Sequence, residues 1–168
     1  MTMLIDILMC TFRRPMVGEA IAAIGRLNLP PDTDLRLVIA DNDDTDSARD
    51  VVARAALTLP FPCHYIHAPA RNISLARNAC LDAASERGVD WIVSLDDDET
   101  VEPDWLIELM DAVIGGDADG GFGTVQAIYP KDAPAWVSAL DLHSSHPARF
   151  GTGWLSTGNS GNVALRWH

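Results

Sequence analysis

The sequence predicts one α/β domain built on a mostly parallel β-sheet flanked by helices. Its 168 residues are the usual length of a single domain. Short apolar segments rich in branched residues alternate with longer segments of helical period, which is the pattern of βαβ units. An apolar content of 48% supplies enough side chains for a sizeable core.

The predicted strands and helices alternate along the chain. Strands are expected at residues 4–10, 35–40, 63–66, 91–95, around 122–127 and at 163–167, and helices at 16–27, 47–57, 74–86 and from Pro103 to Gly115. Pro15 favours a first helical turn, Ser47 is the expected N-terminal cap of the second helix, and Gly88 should end the third. Residues 1–129 thus form a βαβ core. Residues 130–168 are expected to be an irregular segment over the sheet that ends in the last strand.

Composition and charge argue against several classes of function. The formal charge of -12 opposes binding to nucleic acid or to an anionic membrane surface. Three cysteines without CxxC spacing indicate neither a disulfide framework nor a zinc site, and they favour a reducing cytosol. No stretch reaches the ~18 apolar residues of a membrane span, and no signal segment is visible. A cytoplasmic protein, peripheral to the inner face of the membrane if it works there, is therefore expected.

Three consecutive aspartates, Asp96, Asp97 and Asp98, close the apolar segment 91–95 and are followed by Glu99. Adjacent carboxylates repel one another, and a cation offsets the cost of partly burying them. Mg²⁺ or Mn²⁺, which prefer oxygen ligands and leave positions open for phosphate, are the expected partners. The alternative is a solvated turn that caps the next helix.

Polar residues also follow the other predicted strands. Ligands of open parallel sheets lie outside the carboxyl ends of the strands, so these residues should share one cleft. Phe12 would stack on a base, Asp41 would accept a hydrogen bond from a base N–H, and Arg77 would reach a phosphate or an aspartate. Each also has an ordinary interpretation: Phe12 as a core residue, Asp41 as a turn residue and Arg77 as half of a surface ion pair.

Other motifs are less informative. The sequence contains no GxxxxGK[ST], and no GxGxxG follows a strand, so a glycine loop that holds phosphate is not expected. Asp141 and His143 are expected to lie in a surface loop rather than to bind metal. Trp154 is a candidate platform for a sugar ring.

Five motifs in order resemble those of the family 2 glycosyltransferases, which have the GT-A fold. They are Cys10-Thr11-Phe12-Arg13-Arg14-Pro15, Asp41-Asn42-Asp43, Asn72-Ile73-Ser74-Leu75-Ala76-Arg77-Asn78, Leu95-Asp96-Asp97-Asp98-Glu99 and Pro103-Asp104-Trp105-Leu106. The details are similar to the transferases of succinoglycan-type bacterial exopolysaccharide assembly. A sugar-nucleotidyltransferase is disfavoured, because its glycine-rich loop should follow the first strand.

The resemblance implies an inverting, metal-dependent transferase that moves a sugar from a nucleotide-sugar, most often a UDP-sugar, to a saccharide or lipid-linked saccharide acceptor. Asp98, with Asp96, would hold Mn²⁺ or Mg²⁺, and Asp96 or Asp97 would touch ribose or sugar. The ion would stabilise the leaving diphosphate. Residues 1–129 would bind the donor, residues 130–168 would lie on the acceptor side, and the donor contacts would come from Thr11, Phe12, Arg14, Asp41, Asp43, Asn72, Arg77, Asp96 and Asp97.

The general base that the resemblance implies is not visible in the sequence. In the family this acid lies beyond a segment resembling residues 157–166, and no acid follows Asp141 here. The favoured expectation is the N-terminal, C-terminally incomplete portion of a longer enzyme, which would not transfer sugar by itself. The alternatives are a non-catalytic nucleotide-sugar-binding module and recruitment of Asp141 as the base.

Overall fold

The structure is a computed structural model that describes residues 2–146, 153 and 160–168. Its strands are β1 (Met3–Thr11), β2 (Thr33–Asp41), β3 (Cys63–His67), β4 (Trp91–Leu95), β5 (Gly120–Phe122) and β6 (Asn162–Arg166). Its helices are α1 (Val17–Ile24), α2 (Arg49–Ala56), α3 (Ile73–Arg87), α4 (Trp105–Gly115) and α5 (Ala135–Leu140). The alternation of strands and helices predicted from the sequence is confirmed.

The strands form one sheet in the order β3-β2-β1-β4-β6-β5. Strands β1 to β4 are parallel, whereas β6 is antiparallel to both of its neighbours, β4 and β5. The register pairs Thr11 with Asp41, and Leu8 with Ser94. The carboxyl ends of β1, β2 and β4 therefore meet at one edge, as expected for a largely parallel sheet.

Both faces of the sheet are covered, which is why its central strands are apolar on both sides. The alternating residues Ile5, Ile7 and Met9 of β1 pack in one cluster with residues of α1, α2 and α4. The opposite face packs against α3, through a cluster that includes Leu8 and Cys80. For this reason the sequence of β1 is apolar throughout, apart from Asp6 and the terminal Thr11.

Asp6 is a charged residue with no solvent exposure in the middle of this sheet. Its Oδ1 accepts hydrogen bonds from Nε of Arg36, at 3.1 Å, and from an Nη of Arg87, at 2.7 Å. Arg87 is the last residue of α3, and its guanidinium also pairs with Asp34 at 2.8 Å. This network fixes the end of α3 to the first two strands.

The boundaries of α3 follow from its caps. The side chain of Asn72 accepts a hydrogen bond from the backbone N–H of Ser74, and so caps the N-terminus. Gly88 ends the helix as predicted, with a left-handed φ of +68° that glycine adopts without steric cost. The expected cap at Ser47 is wrong: α2 has Ala48 at its N-cap, with no side-chain cap. The Ser47 hydroxyl instead contributes to the lowered pKa of the Asp43 carboxyl.

The fifth strand is shorter and earlier than predicted. It pairs with β6 only over Gly120–Phe122, not over residues 122–127. At Gly123 a Cβ would stand 2.2 Å from the Asn162 side chain, which fills the space beside the strand. The segment predicted to be irregular also contains the short helix α5, Ala135–Leu140.

Candidate functional site

A cleft of about 260 Å³ opens at the carboxyl end of the sheet, between the ends of β1 and β4 and the start of α3. It brings together seven of the residues predicted from the sequence: Thr11, Phe12, Arg14, Arg77, Asp96, Asp97 and Asp98. Cys10, Asn42 and Ile73 also line it, and sequence reasoning missed all three as site residues. Asp41, Asp43 and Asn72 do not line it.

The three aspartates after β4 have different environments. Asp97 points inward, where its side chain is 9% exposed and Oδ2 accepts a 2.7 Å hydrogen bond from the hydroxyl of Thr11. The side chains of Asp96 and Asp98 are 47% and 44% exposed at the cleft. The inner carboxylate thus ties β4 to β1, and the two outer carboxylates are accessible to a ligand.

Two arginines from opposite sides of the cleft face these carboxylates. The Arg14 guanidinium forms an ion pair with Asp98, and its Nε lies 3.6 Å from Oδ1 of Asp97. An Nη of Arg77 lies 3.9 Å from Oδ1 of Asp96. The same nitrogen of Arg77 donates a 2.9 Å hydrogen bond to the hydroxyl of Ser160. Both guanidinium groups lie within reach of an anionic ligand in the cleft.

Asp96, Asp97, Asp98 and Glu99 form an acidic cluster. This cluster carries more negative charge than the groups around it compensate. Burial raises the pKa values of the Asp96 and Asp97 carboxyl groups above their ordinary range. Burial, together with the charges of Asp96 and Asp98, raises the pKa of Glu99 to about 7. Each of these shifts means that the partners present do not offset the cost of burying the charge, so an added cation would be stabilised here.

Asp41 occupies a position different from the expected one. Its carboxylate is fully buried and accepts three hydrogen bonds from the protein itself. Oδ1 accepts from the backbone N–H of Asp43, at 3.1 Å, and Oδ2 accepts from the N–H of Ala48 and the hydroxyl of Tyr65, each at 2.8 Å. The side chain organises the loop after β2 and the start of α2, and it does not face the cleft.

Asp43 and Asn72 do not line the cleft, but their hydrogen bonds hold the loops beside it. Asp43 binds the guanidinium of Arg13 through Nε at 2.9 Å and through an Nη at 2.8 Å. The hydrogen bond from Arg13 holds the pKa of the Asp43 carboxyl well below its usual range. The backbone N–H of Asn72 donates to Oδ1 of Asn42, at 2.8 Å, which joins the cap of α3 to the loop after β2.

Phe12 lies at the open side of the cleft and is not a core residue, since 40% of its surface is exposed. The guanidinium carbon of Arg13 lies 5.1 Å from the centre of its ring, within the range of a cation–π contact. An exposed ring at the end of β1 is suited to stack on a planar group.

Gly161, just before β6, lies against the acidic cluster at Asp96 and Glu99. A Cβ at this position would stand 2.7 Å from Oδ2 of Asp96 and 3.0 Å from Oε1 of Glu99. The backbone just before β6 therefore approaches the acidic cluster so closely that only glycine fits without a shift. No sequence motif outside the resemblance pointed to Ser160 or Gly161.

Among the described residues, no three His, Cys, Asp or Glu side chains are arranged to enclose a metal ion. Asp96 and Asp98 nevertheless fit the ligand pattern of Mg²⁺ and Mn²⁺, which bind through one or two carboxylates and complete their shells with water and substrate phosphates. The half-exposed carboxylates at the cleft provide that donor set.

Asp141 does not line the cleft. Its Oδ1, in the turn after α5, accepts hydrogen bonds from the hydroxyls of Tyr129, at 2.9 Å, and Ser144, at 2.6 Å. Trp154 lies outside the described residues. Over the part of the chain that is described, no helix is both long and apolar enough to cross a membrane.

A family model and a curated relative both match nearly the whole chain. The model of the family described as glycosyl transferase family 2 matches residues 6–164. The succinoglycan biosynthesis protein ExoM of Rhizobium meliloti (strain 1021) is 40% identical over 165 residues, which cover 98% of this chain and 52% of that protein. The chain therefore spans about half the length of this curated relative.

Solved structures show the same fold. S. aureus TarS 1-349 in complex with UDP has a TM-score of 0.65 and 14% identity, and the match covers 96% of this chain and 46% of that chain. The mannosyltransferase PcManGT from Pyrobaculum calidifontis, in complex with GDP-Man and Mn²⁺, has a TM-score of 0.63 and 20% identity over 96% of this chain and 44% of that chain. These are GT-A structures, so the predicted fold class is confirmed.

Proposed function

The chain belongs to glycosyl transferase family 2, and from this premise we propose that it binds the nucleotide-sugar donor of a transferase that builds a bacterial polysaccharide. One observation carries the proposal: Thr11, Arg14, Arg77 and the three aspartates converge on one cleft at the carboxyl ends of β1 and β4. The name of the relative from Rhizobium meliloti supports exopolysaccharide as the product class.

We assign donor binding to residues 1–129 and place residues 130–168 on the acceptor side, with a saccharide or lipid-linked saccharide as acceptor. UDP is the proposed nucleotide, and the ring of Phe12 is the proposed stacking surface for its base. Asp41 is omitted from the proposed contacts, because its carboxylate is buried and occupied by protein donors. We propose that the sugar transfer takes place at the cytoplasmic face of the membrane.

The arginines and aspartates are proposed to exchange partners when the donor binds. In the structure Arg14 neutralises Asp98 and Arg77 lies near Asp96. A diphosphate is a better partner for guanidinium groups, which bind it through several charge-assisted hydrogen bonds. The carboxylates of Asp96 and Asp98 are then released to hold Mn²⁺ or Mg²⁺.

The residues of the cleft have distinct tasks in the proposed transfer. Thr11 holds the Asp97 carboxylate inward, so the carboxylates of Asp96 and Asp98 project into the cleft. The guanidinium groups of Arg14 and Arg77 orient the diphosphate. A bound divalent ion supplies Lewis-acid stabilisation of the leaving diphosphate. Positive charge placed where negative charge develops lowers the barrier to transfer. The acceptor hydroxyl would attack the sugar with inversion as the bond to the diphosphate breaks, and it would give up its proton to the general base that the resemblance implies.

Calorimetric titration of UDP and GDP, each with and without Mn²⁺, tests the proposal. We expect UDP to bind only with the ion, and Asp98→Ala to abolish this binding. Asp111→Asn, at an exposed position of α4 outside the cleft, is the matched control and should bind as the unchanged chain does. Metal-dependent binding that survives in Asp98→Ala would contradict the assigned site.

A second assay separates the transferase from a non-catalytic binding module. The chain is incubated with radiolabelled UDP-sugars, Mn²⁺ and oligosaccharide acceptors. It is tested in two formats: by itself, and fused to the part of the Rhizobium meliloti relative that lies outside the matched residues. Transfer in either format supports the transferase. Donor binding without hydrolysis or transfer in both formats supports the binding module.

A further inference from the structure

Two neighbouring arginines follow β1, and they have different partners. Arg14 lines the cleft and pairs with Asp98, whereas Arg13 does not line it and pairs with Asp43 on the loop after β2. Arg13 has a φ of +55°, in the left-handed region that a residue with a Cβ rarely adopts. Such a conformation persists only where surrounding contacts hold it, and the Arg13 side chain has two, with Asp43 and with the ring of Phe12.

The Asp43 carboxylate is a fixed anchor for the Arg13 guanidinium. Its side chain is 2% exposed, and it also accepts hydrogen bonds from the hydroxyl of Thr45, at 3.1 Å, and from the backbone N–H of Asp44, at 2.9 Å. Nε of Arg13 donates to Oδ1 of Asp43 at 2.9 Å, and an Nη lies 2.8 Å from the same oxygen. A planar guanidinium held at two nitrogens has little freedom to rotate. It is therefore in place before any ligand binds.

The ring of Phe12 lies between this guanidinium and the cleft. The guanidinium carbon of Arg13 lies over the ring, 5.1 Å from its centre, and the ring lines the cleft with 40% of the residue's surface exposed. An exposed side chain loses rotamer freedom when a ligand packs on it, and this loss lowers the affinity. Contact with a fixed guanidinium restricts the ring beforehand, so less freedom remains to be lost on binding.

We propose that Arg13 is a positioning residue for the donor base: anchored by Asp43, it covers one face of the Phe12 ring and holds the ring ready to stack on the base with the other. The inference rests on the proposed function, which assigns the base to Phe12. Arg13 acts on the base alone, because the diphosphate is received by Arg14 and Arg77 on the cleft wall. Its contribution should therefore appear only with ligands that carry a base.

The test compares UDP with ribose 5-diphosphate, which lacks the base, by calorimetric titration in the presence of Mn²⁺. Stacking of a base on an aromatic ring raises affinity about five- to hundredfold, and we expect UDP to bind more tightly by a factor in this range. In Arg13→Asn the affinity for UDP should fall about two- to tenfold, the effect of ordering one side chain, and the affinity for ribose 5-diphosphate should not change. Asparagine tolerates the left-handed region, so the turn after β1 is retained.

Two further variants complete the experiment. Asp43→Asn removes the anchor and should cause the same selective loss, and the double variant with Arg13→Asn should lose no more than either single variant, because both act through one contact. Arg49→Asn is the matched control. The Arg49 guanidinium also pairs with an aspartate, Asp46, and lies over an aromatic ring, that of Tyr65 at 4.9 Å, but it does not line the cleft. This variant should bind both ligands as the unchanged chain does.

The possible failures are distinguishable. Equal losses of affinity for UDP and ribose 5-diphosphate in Arg13→Asn would overturn the proposal, because they would assign Arg13 to the shape of the whole cleft. Equal affinities of the two ligands in the unchanged chain would also overturn it, and would leave the diphosphate site of the proposed function intact. Binding of neither ligand in the presence of Mn²⁺ would contradict the proposed function itself.

Discussion

The hydroxyl of Thr11, at the end of β1, donates a 2.7 Å hydrogen bond to the buried carboxylate of Asp97, just after β4. The two residues are 86 positions apart, and their bond joins the two strand ends that form the cleft. A charge-assisted bond in a buried setting is stronger than one between neutral groups. This bond therefore holds the Asp97 carboxylate inward, whereas the side chains of Asp96 and Asp98 remain exposed at the cleft.

Replacing Thr11 by valine should destabilise the fold through Asp97. Valine keeps the shape but removes the donor, so a buried carboxylate loses a hydrogen bond at a cost of about 1–3 kcal/mol. Urea unfolding followed by circular dichroism measures this change. Thr11→Ser retains the hydroxyl and should remain much closer to the unchanged chain. A loss in Thr11→Val no larger than the loss in Thr11→Ser would show that the hydrogen bond to Asp97 contributes little to stability.

The contact between Arg13 and Asp43 predicts a pH dependence of stability. The folded state holds the pKa of Asp43 below its unfolded value of about 4. A lowered folded pKa stabilises the fold above the unfolded value, and this contribution is lost as the pH falls toward the folded value. The free energy of unfolding should therefore decline below about pH 4.

Asp43→Asn should flatten that decline, because the amide does not titrate. Arg13→Gln should flatten it as well, since the hydrogen bond from the guanidinium is the largest cause of the shift. Urea unfolding between about pH 2.5 and 6 checks both variants. An acid decline as steep in both variants as in the unchanged chain would assign it to other carboxylates.

The sequence was sufficient to predict the sheet and most of the cleft. Parallel strands end at one edge, so the polar residues after β1 and β4 had to meet there, whatever the details of packing. Arg77 was predictable from the same rule, since it lies just over one turn into the helix that follows β3. Local patterns and one topological rule account for these residues.

Asp41 and Gly161 needed the structure. A carboxylate at a strand end can face the cleft or the interior. The Asp41 carboxylate faces the interior, because the N–H of Ala48 and the hydroxyl of Tyr65 donate hydrogen bonds to it there. These donors come from the N-cap of α2 and from β3, and sequence spacing does not show their positions. Gly161 reaches the acidic cluster only because β6 inserts antiparallel between β4 and β5, which a pattern of parallel βαβ units does not indicate.

The buried network of Asp6 predicts a large loss of stability on substitution. Asp6→Asn keeps the size but removes the charge that compensates Arg36 and Arg87. Breaking a buried ion pair by removing one partner costs about 3–5 kcal/mol. Asp34→Asn is the matched control: it removes an ion pair with the same Arg87, but the Asp34 side chain is 53% exposed. Exposed pairs contribute about 0–1 kcal/mol, so this variant should unfold almost like the unchanged chain in urea.

Replacing Gly161 by alanine should weaken donor binding more than it weakens the fold. The added Cβ would stand 2.7 Å from Oδ2 of Asp96, so this carboxylate or the backbone before β6 must shift. Either movement also disturbs Ser160, which accepts the hydrogen bond of Arg77. Gly115→Ala, at the end of α4 where a Cβ meets nothing within 4 Å, is the matched control. We expect UDP titration with Mn²⁺ to show a loss of affinity in Gly161→Ala and none in Gly115→Ala, at closely similar urea midpoints. Unchanged affinity in Gly161→Ala would show that Asp96 is not positioned from the side of β6.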